Sequence, residues 1–262
     1  MIIGIPKEIK VHEYRVALTP HGAKILVEAG HQVIIQSDAG SAIGFSNQDY
    51  QDSGVSIVNS AQAIFDQADM IIKVKEPQPS ECKLLNKNQI LFTYLHLAAD
   101  PKQTELLLES GSTCIAYETI TDNNNRLPLL QPMSEIAGRM SIQSGAHHLE
   151  KTQGGSGVLL SGATGVNPAQ VLVLGGGVVG MNATKVALGM GAQVTILNRS
   201  LSKRLTDFQQ NHGSQLSVDL SSQTNIEHQL KSADLVIGAA LVAGASAPKL
   251  ITREMLKLMK KG

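Results

Sequence analysis

A short apolar strand followed at once by a glycine-rich turn is the feature that most constrains the fold of this 262-residue chain. The stretch reads VLVLGGGVVG over residues 171–180 and contains G-x-G-x-x-G as Gly175, Gly177 and Gly180. The pattern alone is weak, but here a strand precedes it and an apolar helix pattern follows it. Gly175 permits the tight turn, Gly177 lets the backbone approach a pyrophosphate, and Gly180 allows close helix–strand packing. The sequence therefore predicts a dinucleotide-binding unit.

Two series of short apolar runs, alternating with helical patterns, predict an α/β fold with two Rossmann-like parallel-sheet domains. The runs are continuous, which is typical of strands covered on both faces. A polar segment with two prolines, 123–132, marks the boundary, so we assign residues 1–130 to the first domain and 131–262 to the nucleotide-binding domain. The predicted strands are 2–6, 31–36, 69–74, 89–96 and 112–118, then 171–174, 193–197, 215–218 and 234–240.

Two predicted helices frame the second domain. The first begins with Ser134 as its N-cap. The last, over 252–260, should lead into a further strand, but Gly262 is the final residue of the sequence. We therefore expect the second domain to be incomplete at its C-terminus, with the strand over 234–240 left as an unpaired apolar edge.

Composition excludes several classes of partner. Lys and Arg number 22 and Asp and Glu also number 22, so no global field favours nucleic acid or an anionic membrane. Cys82 and Cys114 are too few for a disulfide scaffold or a four-cysteine metal site, and the histidines share no ligand spacing. No apolar run reaches the ~18 residues of a membrane-spanning helix. The N-terminus lacks a signal-peptide core. We expect a cytoplasmic protein without a metal.

The end of the strand after the glycine turn bears on the choice of cofactor. A fold selecting NAD usually carries Asp or Glu ~20 residues after the glycines, where it accepts the ribose hydroxyls. Asn198 stands there instead; its amide oxygen can accept a hydrogen bond, but it does not repel a 2′-phosphate. Arg199, Lys203 and Arg204 follow, and they suit either such a phosphate or a solvated basic helix start. We favour NAD, with NADP or dual use as the rival.

Three polar side chains of the first domain lie at or after predicted strand ends, where parallel sheets bind ligands. Arg15 lies in the loop after the first strand, Lys75 directly follows the third, and His96 ends the fourth. A guanidinium for a carboxylate, a cation for a carbonyl oxygen and a group titrating near neutrality suit an α-keto or α-amino acid. Each also has a simpler interpretation, as a surface arginine, a snorkelling lysine and a satisfied histidine.

Several stretches, in order along the chain, resemble the alanine dehydrogenase family, and the resemblance spans essentially all 262 residues. They are GIPKEIKVHEYRVALTP, IIKVKEP, ILFTYLHLAA, LPLLQPMSEIAGRMS, LGGGVVG and ADLVIGAALVAGASAPKL. The resemblance implies reversible NAD-dependent oxidative deamination of L-alanine to pyruvate and ammonium. It also implies a homo-oligomer, a hexamer when the chain is complete.

By motif, the resemblance implies that Arg15 and Lys75 bind the substrate and that His96 is the catalytic acid/base. It also implies a cofactor site made of Ser134, the turn from Gly175 to Gly180 with Val178 and Val179, Lys203, and the backbone of Ala239 and Ala240. Asn198 and Arg199 are assigned to the same site because of their distance in sequence from the glycine turn. Two departures stand out. Asn198 replaces the family's usual acidic residue, and the family continues beyond "MKKG" with a strand that carries a catalytic aspartate.

Two alternatives from other classes stay open. The chain is a nucleotide-binding fragment without turnover if the absent aspartate is indispensable. Alternatively it is the NAD(H)-binding component of a proton-translocating transhydrogenase, a relative with a similar "GIPKE" opening, although "LHLAA" and "LPLLQPMSE" are closer to the dehydrogenases. Turnover that depends on alanine or pyruvate separates the enzyme from both alternatives.

Overall fold

A computed structural model describes residues 1–240 and 249–261 of the chain. Residues 241–248, which belong to one of the stretches carrying the resemblance, lie outside the described residues, as does Gly262. The chain divides into two compact units, Met1–Leu127 and Pro128–Gly262. The predicted boundary, after residue 130, lies close to this division. Each unit contains one parallel sheet flanked by helices, so the predicted α/β fold with two parallel sheets is confirmed.

The first unit is built on a sheet of six strands. These are β1 Ile2–Ile5, β2 Gln32–Gln36, β3 Ser56–Val58, β4 Met70–Ile72, β5 Ile90–Thr93 and β6 Thr113–Ala116. Its helices are α1 Pro20–Glu28, α2 Asn47–Asp52, α3 Ala61–Gln67, α4 Pro79–Cys82 and α5 Pro101–Ser110. The strand order is β3-β2-β1-β4-β5-β6, and every pair is parallel. The loops that follow β1, β4, β5 and β6 therefore leave from one edge of the sheet.

Strands β4 and β5 of the first unit are shorter than predicted at their carboxyl ends. The predicted strands 69–74 and 89–96 end at Ile72 and Thr93, and the residues beyond them form loops. The two apolar clusters of the sheet enclose buried side chains such as Ile5 and Leu91. The apolar interior of each run thus forms the strand, whereas the polar residues at the end of the run lie in the following loop, where they can contact a ligand.

The second unit is built on a sheet of four strands. These are β7 Gln170–Leu174, β8 Gln193–Asn198, β9 Leu216–Leu220 and β10 Leu235–Gly238. Its helices are α6 Gln131–His148, α7 Val178–Gly189, α8 Lys203–His212, α9 Gln223–Leu230 and α10 Arg253–Leu256. The order is β10-β7-β8-β9 with all pairs parallel, so β10 lies at one edge of the described sheet. Because chain crossovers leave β7 in the interior, the glycine turn follows a strand with neighbours on both sides.

Two helix predictions in this unit need correction. Ser134 is not the N-cap of α6, because the helix begins three residues earlier and the Ser134 N–H donates to the Leu130 carbonyl, 3.0 Å away, as a helical bond. Pro132 accounts for the earlier start, since proline favours the first turn of a helix. The predicted helix 252–260 is reduced to α10, which Thr252 caps and in which Met255 is buried.

Helix α6 packs directly against α7, the helix that follows the glycine turn. A Cβ atom at Gly138 would overlap the Val179 carbonyl oxygen, so only glycine permits this approach. About two helical turns further on, a Cβ at Gly145 would meet the Leu235 side chain at 2.6 Å. Glycines on one face of α6 thus let it pack closely against the start of α7 and the edge strand β10.

Among residues 1–240 and 249–261, no helix combines the length and hydropathy that crossing a membrane requires.

Candidate functional site

The first unit gathers three sequence-predicted side chains at one sheet edge. Arg15, Lys75 and His96 lie in the loops that follow β1, β4 and β5. These three strands are neighbours, with Gly4 paired to Ile71 in the β1–β4 ladder. Because the carboxyl ends of parallel strands meet at one edge, the three loops emerge together. The structure thus places all three predicted residues in loops at the carboxyl ends of neighbouring strands of one sheet.

Arg15 holds a carboxylate of the protein itself. Its Nε donates to Glu13 Oε1 at 2.8 Å and its Nη2 to Glu13 Oε2 at 2.5 Å, a two-point pairing that matches the planar guanidinium. The hydrogen bond from Arg15 holds the pKa of Glu13 below its usual range, and the nearby Lys75 charge acts in the same direction. The pairing raises the pKa of Arg15. The predicted carboxylate-binding cation is therefore oriented by its neighbour two residues away.

Lys75 lies between two acidic residues. Its Nζ is 3.4 Å from Glu76 Oε2, and its backbone N–H points to Glu8 Oε1 at 3.4 Å. Glu76 also pairs with Lys10. Burial opposes ionisation of Glu76, but the hydrogen bond from Lys10 and the charge of Lys75 lower its pKa overall. The Lys75 side chain is 23% exposed, so the ammonium group remains within reach of a ligand.

A buried ion-pair cluster fixes the backbone that carries Lys75. Lys73 is fully buried, and its Nζ lies 2.8 Å from Glu8 Oε2 and 2.9 Å from Glu81 Oε1. Glu8 Oε1 accepts the Val74 N–H at 2.6 Å. Glu8 follows β1 whereas Lys73 and Val74 follow β4, so these bonds tie the two loops together. Lys73 is therefore an internal anchor and not a solvent-facing lysine.

His96 occupies a turn that few non-glycine residues adopt. Its backbone is left-handed, with φ 52° and ψ 36°. The Glu118 carboxylate accepts the His96 N–H at 2.7 Å and the Leu95 N–H at 3.2 Å. The imidazole stacks on the Tyr94 ring with centroids 6.1 Å apart and planes 14° apart. Burial raises the pKa of Tyr94, although the Arg15 charge opposes the shift. His96 is therefore an exposed residue whose backbone N–H is bound by Glu118, from the segment after the neighbouring strand β6.

The glycine-rich turn of the second unit has the form that the sequence predicts. Gly175 has φ +114°, and a Cβ there would meet the Ala239 carbonyl oxygen at 2.7 Å and the Ala240 nitrogen at 3.1 Å. A Cβ at Gly180 would overlap the Gly175 carbonyl oxygen. In contrast, a Cβ at Gly177 would meet nothing within 4 Å. Two glycines are thus required by the packing of the protein, while Gly177 faces open space where another molecule can approach.

Helix α7 starts immediately at this open position. Gly177 is its N-cap, and Val178 and Val179 are its first residues. The first N–H groups of a helix have no intrahelical acceptor and carry the positive end of the helix dipole. With Gly177 in front of them, they form an anion site of the kind that binds dinucleotide pyrophosphates. Ser134 lies one helical turn before Gly138 on α6, the helix that packs on α7.

The side chain of Asn198 is tied to the glycine turn. Its Oδ1 accepts the Gly176 N–H at 3.0 Å, and its Nδ2 donates to the Ser200 carbonyl at 2.9 Å. Arg204 Nη2 donates to the Gly176 carbonyl at 3.4 Å. Lys203 pairs with Asp207 one turn later at 2.7 Å, and Arg199 is exposed. Asn198 and Arg204 are therefore the predicted residues whose side chains form hydrogen bonds with the turn.

Sequence reasoning missed three acidic residues that organise the first site: Glu8, Glu13 and Glu118. Glu118 follows the end of β6, and the same strand-end rule that selected His96 would have found it. Glu8 and Glu13 lie in the same loop after β1 as Arg15, but the rule does not separate them from the other polar residues of that loop, and only the fold identifies their partners. No group of three or more His, Cys, Asp or Glu side chains suited to a metal ion occurs in the part of the chain that the structure describes.

Comparisons with known proteins identify relatives along the whole chain. Family models described as alanine dehydrogenase/PNT, N-terminal domain and C-terminal domain match residues 4–137 and 141–262. The alanine dehydrogenase of Halomonas elongata is 53% identical over 262 residues, which are 100% of this chain and 70% of that protein. The alanine dehydrogenase of Bacillus subtilis is 48% identical over 100% of this chain and 68% of its own length.

Solved structures give the same result. A structure of an L-alanine dehydrogenase is 49% identical, with a TM-score of 0.88 over 99% of this chain and 72% of that one. The transhydrogenase of Sinorhizobium meliloti is 24% identical, with a TM-score of 0.78 over 99% of this chain and 76% of that one. At that identity the second likeness concerns the fold alone.

Proposed function

The chain belongs to the alanine dehydrogenase/PNT family, and on this premise we propose that it acts as an L-alanine dehydrogenase. The reaction is the reversible oxidative deamination of L-alanine to pyruvate and ammonium with a nicotinamide nucleotide. One observation carries the proposal: Arg15, Lys75 and His96 emerge from neighbouring strands at a single sheet edge. A carboxylate, a carbonyl oxygen and a transferable proton are the three features of pyruvate and alanine that these groups match.

Arg15 and Lys75 bind the substrate. The guanidinium of Arg15 recognises the carboxylate, and Glu13 keeps the guanidinium plane in position through its Nε and Nη2 contacts. The ammonium group of Lys75 polarises the keto oxygen of pyruvate and stabilises the negative charge that develops there. Glu8 supports this arrangement, because it accepts the Val74 N–H and so fixes the segment from which Lys75 projects.

His96 moves protons. During alanine oxidation its imidazole accepts a proton from the water that adds to the imine carbon, and it returns a proton to the departing amine. In the reverse direction the same nitrogen protonates the hydroxyl group that leaves. An imidazole suits both roles, since histidine titrates near neutrality. Stacking on Tyr94 restricts the ring orientation for these transfers.

The second unit supplies the residues that hold the dinucleotide. Gly177 and the first N–H groups of α7, at Val178 and Val179, bind the pyrophosphate, and the open space before Gly177 fits that group. The rest of the proposed set is Ser134, Gly175, Gly180, Asn198, Arg199, Lys203, Ala239 and Ala240. When bound, the nicotinamide would supply the hydride chemistry of the reaction, and these residues would hold and orient it.

NAD is the proposed cofactor, in preference to NADP. Asn198 directs its amide oxygen to the Gly176 N–H, a bond that holds the end of β8 against the turn and leaves the second lone pair of that oxygen for a ribose hydroxyl. Arg204, at the same turn, is the residue that a 2′-phosphate would engage, and NADP is therefore the competing choice. The homo-oligomer, a hexamer when the chain is complete, stays a prediction of the resemblance, and the cytoplasmic location stays a prediction from the sequence.

The test is pyruvate- and ammonium-dependent oxidation of NADH by this 262-residue chain, repeated with NADPH. His96→Ala should lower turnover by ~10²–10⁴-fold, the usual effect of losing a positioned acid/base. NADH affinity should be retained, and it can be followed by nucleotide fluorescence because the chain contains no Trp. The exposed His21 on α1 provides the matched control, since His21→Ala should leave turnover unchanged. NADH binding without any pyruvate-dependent turnover in the unsubstituted protein would contradict the proposal.

A further inference from the structure

We propose that Glu118 is a positioning residue that holds His96 in its reactive geometry. The inference rests on the proposed function, in which His96 transfers protons. Glu118 acts on the backbone of the histidine segment: its carboxylate accepts the N–H groups of two consecutive residues, Leu95 and His96. It therefore contributes to catalysis through His96 rather than through contact with the substrate.

The sheet topology explains why this carboxylate reaches that turn. Strands β5 and β6 are parallel neighbours, and Thr93 is paired with Ala116 at their carboxyl ends. Beyond this pair the segment after β6 forms a short 3-10 helix, Tyr117–Thr119, and Glu118 in this helix lies next to Leu95 and His96. Both Glu118 oxygens lie 3.2 Å from the Leu95 nitrogen, and Oε1 lies 2.7 Å from the His96 nitrogen. The segment that follows the neighbouring strand thus supplies the acceptor that the turn requires.

The turn needs such an acceptor for two reasons. His96 is left-handed, with φ 52°, and a non-glycine residue keeps this conformation only where its surroundings determine it. In addition, Leu95 is 1% exposed, so its N–H has little access to water and would be costly to leave unpaired. A carboxylate serves both N–H groups at once, and hydrogen bonds to a charged acceptor are about twice as strong as neutral ones.

Other contacts limit the freedom of the segment but do not replace Glu118. Gln103 Nε2 donates to the Leu95 carbonyl at 3.0 Å, which holds the opposite side of the same peptide region. Tyr94 stacks on the imidazole of His96. Gln103 thus holds the carbonyl of the Leu95–His96 peptide and Tyr94 contacts the imidazole, whereas Glu118 accepts the N–H groups of Leu95 and His96. Loss of the carboxylate should let the peptide rotate and carry the imidazole away from the substrate.

The variants Glu118→Gln and Glu118→Ala test the proposal. Glu118→Gln keeps the shape and one neutral acceptor, while Glu118→Ala removes the acceptor. We expect kcat to fall about 10-fold in the first and about 100-fold in the second, because displacement of a catalytic group by ~1 Å costs rates of this order. KM for pyruvate should stay within about twofold, since Arg15 and Lys75 are anchored separately. Glu109→Gln, at an exposed position on α5, is the matched control and should change neither constant.

Amide hydrogen exchange gives a readout that does not depend on turnover. In the unsubstituted protein the amides of Leu95 and His96 should be protected, and in Glu118→Gln both should exchange faster while the amides of β5 do not change. Absence of protection at these two amides in the unsubstituted protein would overturn the proposal even if no Glu118 variant folds. Normal kcat in Glu118→Gln would overturn it as well.

A double-variant cycle separates this inference from the proposed function. If Glu118 acts through His96, Glu118→Gln should cause no further loss of kcat in a His96→Ala background. An additional 10-fold loss in that background would show that Glu118 acts independently and would overturn the positioning role. Full turnover in His96→Ala alone would instead refute the role of His96, and the exchange rates of the two amides would still report whether Glu118 holds the turn.

Discussion

The carboxylate of Glu13 accepts two hydrogen bonds from the guanidinium of Arg15, one from Nε at 2.8 Å and one from Nη2 at 2.5 Å. The Arg15 backbone N–H also donates to Glu13 Oε1, at 2.9 Å. The side chain of Glu13 is 8% exposed, whereas that of Arg15 is 45% exposed. An accessible cation that we propose to bind a substrate carboxylate is therefore oriented by a nearly buried carboxylate from its own loop.

This pair should make stability depend on pH below neutrality. Because Arg15 lowers the pKa of Glu13 in the folded chain, the stabilisation is complete above the unfolded value of ~4.3. The stabilisation is lost as pH falls through the lower pKa that Glu13 has in the folded chain. At pH 6 we expect Glu13→Gln to be less stable than the unsubstituted protein by ~0.5–1 kcal/mol in urea unfolding, a range typical of partly exposed pairs.

The same comparison at pH 3 should show a smaller difference, since pH 3 lies below the unfolded pKa of ~4.3 and protonation of Glu13 in the unfolded chain removes part of the stabilisation. Glu28→Gln is the control, because Glu28 and Lys24 form an exposed pair at 4.0 Å that contributes little. A gap between the Glu13→Gln and unsubstituted chains that stays constant from pH 6 to pH 3 would show that the ion pair is not its source.

Lys73 should be the lysine whose loss most destabilises the first unit. It is fully buried between Glu8 and Glu81, and its removal leaves two buried carboxylates without their cation. Breaking a buried pair by removing one partner typically costs ~3–5 kcal/mol, so Lys73→Met should lower the free energy of unfolding by about that amount.

Lys75→Met is the matched control, since the Lys75 side chain is 23% exposed and its partner Glu76 also pairs with Lys10. We expect less than ~1 kcal/mol of destabilisation in that variant. Comparable urea midpoints for Lys73→Met and the unsubstituted protein would contradict the anchoring role. If the cause is the unpaired charge, further replacement of Glu8 and Glu81 by Gln should restore part of the stability.

Local signals accounted for most of the fold. Continuous apolar runs predicted nine of the strands, because buried parallel strands need such runs whatever their partners are. The strand that was missed, β3, has three residues, Ser-Ile-Val, at the sheet edge, and its polar start hides it among turns. The start of α6 was misplaced because Ser134 resembles an N-cap, whereas Pro132 allows the helix to begin earlier.

The candidate site was predictable in outline but not in its internal pairing. Strand ends and the glycine pattern selected Arg15, Lys75 and His96 and the turn from Gly175 to Gly180. Their acidic partners were not selected, because Glu8 and Lys73 are 65 residues apart in sequence and Glu118 and His96 are 22 apart. No local pattern encodes such contacts; only the strand order brings them together.

The glycines of the turn should respond differently to substitution by alanine. A Cβ at Gly180 would overlap the Gly175 carbonyl oxygen, so Gly180→Ala must displace α7 and should destabilise the second unit by several kcal/mol. A Cβ at Gly177 meets nothing within 4 Å, and its φ of −74° suits alanine. Gly177→Ala should therefore fold normally and still lose NADH affinity by about 10-fold or more, because the methyl group occupies the approach of the pyrophosphate.

Thermal unfolding and NADH fluorescence titration of the two variants check this contrast. Gly189→Ala, near the end of α7, is the control, because a Cβ there also meets nothing within 4 Å but is remote from the turn. Unchanged NADH affinity in Gly177→Ala would remove this position from the nucleotide site, and a stable Gly180→Ala would mean that α7 tolerates displacement.

Asn198→Asp should sharpen discrimination against NADPH. Aspartate can keep the bond that Asn198 Oδ1 accepts from Gly176, but it cannot donate to the Ser200 carbonyl as Nδ2 does. The new negative charge would repel a 2′-phosphate, whereas it accepts hydrogen bonds from the ribose hydroxyls of NADH. We expect the ratio of the Kd for NADPH to that for NADH to rise at least about 10-fold, a modest effect for two like charges close together.

Arg204→Gln should raise the same ratio by removing a cation that favours the phosphate. The two ratios are measured by fluorescence titration at fixed ionic strength, and an unchanged ratio in Asn198→Asp would show that this side chain does not face the ribose.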